Sequence, residues 1–401
     1  MSRPSLWNNI DCVNMDLDKT RVYFKRSKTS PINLILDCRY INPSDPLFDF
    51  LPSVGGRLKS LDIRADPEGL QAVSPYLSLP TPLLEVLSIR GKGNPVLQSA
   101  LFDGDLSSLR ELQLEDVHTK LPWRSVVNLT SFTLDSDPFP VSVNQLLDFL
   151  EGAPHLRKVK IHSTTPITPG VPNGRLVSLA HLQWMDTTHF PHSPLFDHLL
   201  IPVGVRMTMT MDLPTPPVED HPLRFIDNLK NLSNFTTIKL DHGPGVMKFS
   251  GPNGEVEMAH RVNDTSSVFE FLARIDTSKT ESLEISWGGC PSRDLFYRAL
   301  LPMKDLRTIK LYQRGDPHHL AHALHPGMSS SGVVICPQLE KLVIQLKRPF
   351  HVKDLAGAAA ARASGGAKFK HVRITTWDKT EFPPADLLEL EKHVLRVTYG
   401  H

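Results

Sequence analysis

Residues 109–115 read LRELQLE, with apolar Leu109, Leu112 and Leu114 separated by polar residues. Alternation of period two places Leu112 and Leu114 on one face of a short strand, while Glu111, Gln113 and Glu115 point the other way. A single strand cannot bury its apolar face alone, so copies must stack.

The same phrase recurs along the chain. Clear copies are Leu58-Leu61-Ile63, Leu84-Leu87-Ile89, Leu129-Phe132-Leu134, Leu156-Val159-Ile161 and Leu179-Leu182-Trp184, then Phe235-Ile238-Leu240, Leu306-Ile309-Leu311, Leu339-Leu342-Ile344 and Phe369-Val372-Ile374. Leu34-Leu36, Met207-Met209-Met211 and Leu283-Ile285 alternate but lack the first anchor. Starts at 58, 84, 109, 129, 156 and 179 are separated by 26, 25, 20, 27 and 23 residues. Such spacing is that of a leucine-rich repeat. The expected fold is α/β, a leucine-rich-repeat solenoid or horseshoe with a parallel concave sheet and helices or irregular segments on the convex side.

The connecting segments support this reading. In VSVNQLLDFLEGAPHL, Ser142 caps a helix whose apolar face is Leu146, Leu147, Phe149 and Leu150, and Gly152 with Pro154 ends it. TSSVFEFLARID and SRDLFYRALLPM repeat the arrangement before Leu283 and Leu306. A doubly wound enzyme would also alternate strands with helices, but it calls for longer, continuously apolar strands and a glycine-rich turn after one of them. Neither G-x-G-x-x-G nor G-x-x-x-x-G-K occurs.

Composition narrows the function. Across 401 residues, 44 Lys plus Arg meet 43 Asp plus Glu, a formal net charge of +1, so no overall field draws nucleic acid or an anionic membrane. Cys12, Cys38, Cys290 and Cys336 show no paired spacing and read as free thiols of a reducing compartment. No signal peptide or membrane span is legible, which places the chain in cytoplasm or nucleus. The four Asn-x-Ser/Thr sequons, at Asn128, Asn231, Asn234 and Asn263, therefore read as chance. The 34 prolines suit many short elements with frequent turns.

Two intervals exceed one repeat. Residues 179–235 hold the strand MTMTM and the Pro-rich link DLPTPPVEDHP, and VMKFSGPNGEVEM reads as a hairpin insertion, near 241–262, around an Asn253-Gly254 turn. AGAAAARASGGA, 356–367, reads as a helix running into a flexible turn.

Catalytic chemistry is not legible. His318, His322 and His325 could share a helix face at zinc-binding spacing, but no Glu completes H-E-x-x-H and no carboxylate sits within the helix. G-x-S-x-G is absent, and KTRVYFKRSK reads as an amphipathic helix with a wet face. We expect no catalytic residue, metal or cofactor.

Pro4, Leu6 and Trp7 of SRPSLWNNIDC, the helix Asp16 to Lys28 and the strand Leu34 to Asp37 together resemble the tail of an F-box and its junction to the repeats in fungal F-box proteins. LFDGDLSSLRELQL, LLDFLEGAPHLRKVKI and FSGPNGEVEM are also of the kind seen in that family, so the resemblance spans nearly the whole chain. It implies residues 1–30 as an F-box remnant with a capping helix, and 31–401 as irregular repeats that hold a target for a cullin-type ubiquitin ligase. The first F-box helices would precede Ser2. Contact with the Skp adaptor and cullin is accordingly expected only where a complete F-box stands upstream.

The expected partner is a protein on the concave face, met by the outward positions Arg64, Arg90, Gln113, Glu115, Lys158, Lys160, His162, Lys239, Lys310 and Tyr312. A hydrolase-like enzyme, or a repeat scaffold outside ubiquitin transfer, is the alternative.

Overall fold

A computed structural model describes residues 3–13, 17–39, 48–97, 101–104, 106–119, 126–136, 141–163, 174–187, 194–211, 235–241, 246–252, 254–260, 265–286, 291–313, 317–326, 334–346, 350–376 and 382–400. Asn231, Asn234, Asn253, Asn263, Cys290 and the Pro-rich link after Met211 lie outside them. The fold is mixed α/β with a large, mostly parallel sheet, and the chain divides into two compact units, Met1–Pro202 and Val203–His401.

In the first unit the described main-sheet strands are β1 (Asn9–Asp11), β2 (Ile32–Asp37), β3 (Leu58–Ala65), β4 (Val86–Gly91), β5 (Glu111–Glu115), β6 (Ser131–Asp135), β7 (Lys158–His162) and β8 (Trp184–Thr187). Each pairs in parallel with the next in sequence. Leu34, Leu61, Leu87, Leu112, Phe132, Val159 and Met185 fall in one register, with Leu36, Ile63, Ile89, Leu114, Leu134 and Ile161 beside them. All are at most 3% exposed, and burying each such side chain contributes about 1.5–3 kcal/mol.

A forked hydrogen bond fixes the register where each strand from β5 to β8 begins. The Glu85 carbonyl accepts from the N–H groups of Arg110 and Glu111, that of Arg110 from Thr130 and Ser131, that of Thr130 from Arg157 and Lys158, and that of Arg157 from Gln183 and Trp184. One residue before each fork sits the first anchor of the phrase, and its N–H closes a turn onto the carbonyl three residues earlier, as Leu109 does onto Leu106 and Leu156 onto Ala153.

That turn corrects the copy expected at Leu179-Leu182-Trp184. Leu182 closes onto Leu179, so Leu182 is the anchor, Met185 is the core residue paired with Val159, and Trp184 pairs with Lys158 on the opposite face. A slip of one residue exchanges the two faces of a strand. The β1 strand, which no apolar phrase announces, pairs with β2 ahead of the first expected repeat.

The second unit contains β9 (Arg206–Met211), β10 (Thr237–Asp241), β11 (Val246–Gly251), β12 (Gly254–His260), β13 (Ser282–Ser286), β14 (Thr308–Gln313), β15 (Lys341–Leu346), β16 (His371–Thr376) and β17 (Arg396–Gly400). Their order is β9-β12-β11-β10-β13-β14-β15-β16-β17, and only β11 runs against the others. The hairpin β11–β12 therefore lies within the sheet, between β9 and β10. Gly251 and Gly254 face each other at its tip, where Gly254 has φ +136°, a conformation suited to glycine. At β13 the missing anchor is Thr280, buried with its hydroxyl donating to the Phe235 carbonyl at 3.5 Å.

Helices connect the strands: α1 (Leu17–Ser27), α2 (Leu51–Val54), α3 (Pro67–Val73) and α4 (Val143–Glu151) in the first unit. In the second they are α5 (Thr265–Arg274), α6 (Arg293–Leu300), α7 (His318–Leu324), α8 (Val352–Ser364) and α9 (Pro384–His393). Ser142 and Gln145 form a capping box at the start of α4, and Ser292 caps α6. From α5 to α9 each helix packs on the next, Phe269 against Phe296 with ring centroids 4.9 Å apart. Phe271 of α5 meets Phe249 of β11 with ring centroids 6.3 Å apart. Among the described residues no helix is long and apolar enough to cross a membrane.

Candidate functional site

With alternate strand residues buried, the others form rows across the sheet, neighbours lying about 4.8 Å apart. In the first unit one row reads Asp37, Arg64, Arg90, Glu115, Asp135 and His162, from β2 to β7. The adjacent row contains Asp62, Ser88, Gln113, Thr133, Lys160 and Asp186. Arg64, Arg90, Glu115 and His162 of the expected set thus share one row, Gln113 and Lys160 the next, and Lys158 a third with Glu111 and Trp184.

Most of these groups are engaged. Arg90 lies 3.9 Å from Asp62 and 3.6 Å from Glu115, whose Oε1 also accepts from Gln113 Nε2 at 2.6 Å. Lys160 lies 3.9 Å from Asp135. His162 sits between carboxylates, Nδ1 3.3 Å from Asp135 and Nε2 3.3 Å from Asp186. Arg39 grips Asp37 with two nitrogens, and that hydrogen bonding holds the Asp37 carboxyl below its ordinary range. Lys158 forms no ion pair with a described residue and is exposed.

In the second unit Lys239, Glu284 and Lys310 are in register, and Glu284 takes both lysines, at 3.2 and 3.4 Å. Tyr312 lies two residues beyond Lys310, opposite Gln345. On the hairpin, Lys248 pairs with Glu257 at 2.7 Å, and that bond raises the lysine pKa. Farther along, His371 is pushed below its ordinary value by burial and then by Arg396, Lys341 and Arg373, and its Nε2 lies 3.0 Å from Thr398 Oγ1.

The acids Asp62, Asp135, Asp186 and Glu284 belong to this surface and are missing from the expected set. Their signal is the one that selected Gln113: each occupies an outward position beside a core residue of its strand. The histidine cluster is less regular than its spacing implied. His318 and His322 meet edge to face at 4.8 Å on α7, but His325 has left the helix with ψ 115°.

The rows offer alternating cations, carboxylates, amides and a phenol on a fixed frame. Such an array can exchange internal ion pairs for matching groups on another polar surface. Compared with known families and with curated proteins, the chain matches none.

Proposed function

We propose that this chain is a non-enzymatic protein-binding scaffold, a leucine-rich-repeat solenoid whose outward strand rows take a protein target, and that it belongs with the substrate receptors of F-box ubiquitin ligases. The observation that carries the scaffold reading is the registered series of parallel strands β2 to β7, which turns dispersed residues such as Arg64, Glu115 and His162 into continuous polar rows. Local anchoring by Trp7 supports an organised N-terminus, since its ring meets Tyr23 edge on at 5.0 Å and lies beneath the Arg26 guanidinium at 4.5 Å. The F-box part of the reading rests on the sequence resemblance. Contact with the Skp adaptor is proposed only where a complete F-box stands upstream.

The test is affinity purification of the full chain with mass spectrometry, followed by rebinding of the recovered protein to purified variants. Lys158→Glu in the first unit and Tyr312→Ala in the second, neither engaged in an ion pair with a described residue, should weaken rebinding and leave the melting temperature nearly unchanged. Normal rebinding by both, with loss on Lys248→Glu in the hairpin, would move the reading surface to β11–β12. Tight adaptor binding by the chain alone would contradict the placement of the F-box boundary.

A further inference from the structure

At the C-terminal ends of β2, β3 and β4 lies a cavity of about 410 Å³ lined by Arg39, Arg64, Arg90, Gly91 and Lys92. Every side chain of that lining is a cation. The acids nearby are committed in part: Asp37 to Arg39, and Asp62 and Glu115 to Arg90. Arg64 and Lys92 have no ion-pair partner among the described residues.

A second observation is independent of the charges. Nε of Arg64 and Nε of Arg90 are buried and make no hydrogen bond, as are Oδ1 of Asp62 and Oγ of Ser88 on the same face. Unmet buried donors and acceptors are costly, so Arg64 Nε, Asp62 Oδ1 and Ser88 Oγ on two adjacent strands mark a place built for something else to touch, while Arg90 Nε already faces Glu115 at 3.6 Å. The backbone holds the rim in position. Lys92 N–H donates to the Ala65 carbonyl at 2.8 Å, and Gly93 and Asn94 then turn the chain through positive φ values of 81° and 53°. Gly91 lets this turn close, because a Cβ there would stand 2.1 Å from the Asp116 carbonyl.

We propose that this cavity binds one compact oxyanion, a carboxylate or phosphate group. Guanidinium nitrogens from neighbouring strands match planar or tetrahedral oxygens as charge-assisted donors. The open acceptors on Asp62 and Ser88 suit an accompanying hydroxyl or water. The proposal stands apart from the scaffold reading, since it requires no protein partner.

Calorimetric titration of the full chain at constant ionic strength, with inorganic phosphate in one arm and succinate in the other, tests it. Saturable single-site binding of either anion is the expected result, and the arm that binds assigns the group. Arg64→Gln and Lys92→Gln should each weaken that binding by about tenfold, whereas Arg157→Gln, away from the cavity, should leave it unchanged. Lys92 is exposed at the rim, so its variant reads the site even where Arg64→Gln disturbs β3. Absence of saturable binding by both anions at about 10 mM, or binding indifferent to both substitutions, would overturn the proposal.

Discussion

The guanidinium of Arg362 donates to the main chain at Cys336, Nη2 to the Cys336 carbonyl at 2.9 Å, and Nη1 reaches the adjacent Ile335 carbonyl at 2.7 Å. Arg362 lies on α8 and is fully buried, stacked over the Phe369 ring at 4.9 Å. Burial pulls its pKa down to about 10. A cation held by carbonyls and an aromatic face joins the turn before β15 to the turn before β16. Arg362→Met keeps the length of the side chain but takes the donor from the Ile335 carbonyl, at about 1–3 kcal/mol, whereas the Cys336 carbonyl still accepts from the Leu339 N–H at 3.0 Å. Relief of the buried charge offsets part of that cost. We expect a net loss of about 1 kcal/mol in urea denaturation, and unchanged stability would show that the carbonyl contacts contribute little.

Cys336 titrates in the same place. Burial pushes its thiol from an ordinary 9.0 to about 12, while the Arg362 charge acts in the opposite direction. The folded state therefore keeps a proton that the unfolded chain releases. Stability from this group is complete below pH 9 and is lost as pH rises toward 12, at about 1.4 kcal/mol per pH unit. Between about pH 8 and 10.5 the stability of Cys336→Ala should fall less steeply than that of the parent. Parallel pH profiles would place the thiol in a less buried setting. Cys12, pushed up to about 11 chiefly by burial, should likewise react slowly with a thiol reagent until the chain unfolds.

Leu112 and Gln113 test the strand register directly. Leu112 is 2% exposed and pairs with Leu87 and Phe132, while Gln113 is half-buried on the outward face. Leu112→Ala should cost about 2–5 kcal/mol. Gln113→Ala should cost well under about 1 kcal/mol, since it removes one polar contact on a partly solvated face. Comparable melting temperatures for the two variants would contradict the assignment of faces.

The strands that were legible are those in which period two repeats a full phrase. From Leu58 to Ile161 each phrase names the residues that the ladder pairs. Legibility fails where chemistry at one position misleads: Trp184 looks apolar enough for the core but pairs with Lys158, and Thr280 serves as a buried anchor although it is polar. It fails again where a strand is short, as at Asn9–Asp11. The hairpin could be seen from VMKFSGPNGEVEM, but not its seat between β9 and β10, because that depends on which strand edge is open. The outward positions were equally visible. Their ion partners were not, since Asp62 and Arg90 meet only through the parallel register of β3 and β4, which joins distant segments.

Two glycines in helices separate close approach from helix propensity. Replacing an interior helical glycine by alanine normally gains about 0.8–1 kcal/mol, and Gly357 on α8 should follow that rule, because a Cβ added there would meet nothing within 4 Å. Gly69, in the first turn of α3, should not. A Cβ there would stand 1.9 Å from the Cys38 carbonyl oxygen and 2.7 Å from its carbon. Both ends of that contact are tied down: Gly69 N–H donates to the Asp66 side chain at 2.8 Å, and Cys38 N–H donates to the Arg64 carbonyl at the end of β3. The added methyl must therefore push apart the start of α3 and the segment that leaves β2. Overpacking of this kind costs about 1–3 kcal/mol, more than the propensity gain. Thermal melts of Gly69→Ala and Gly357→Ala should shift in opposite directions, downward for the first and upward for the second. A rise in both would mean that α3 does not approach Cys38 this closely, and would remove the steric reason for glycine at the junction between β3 and its helix.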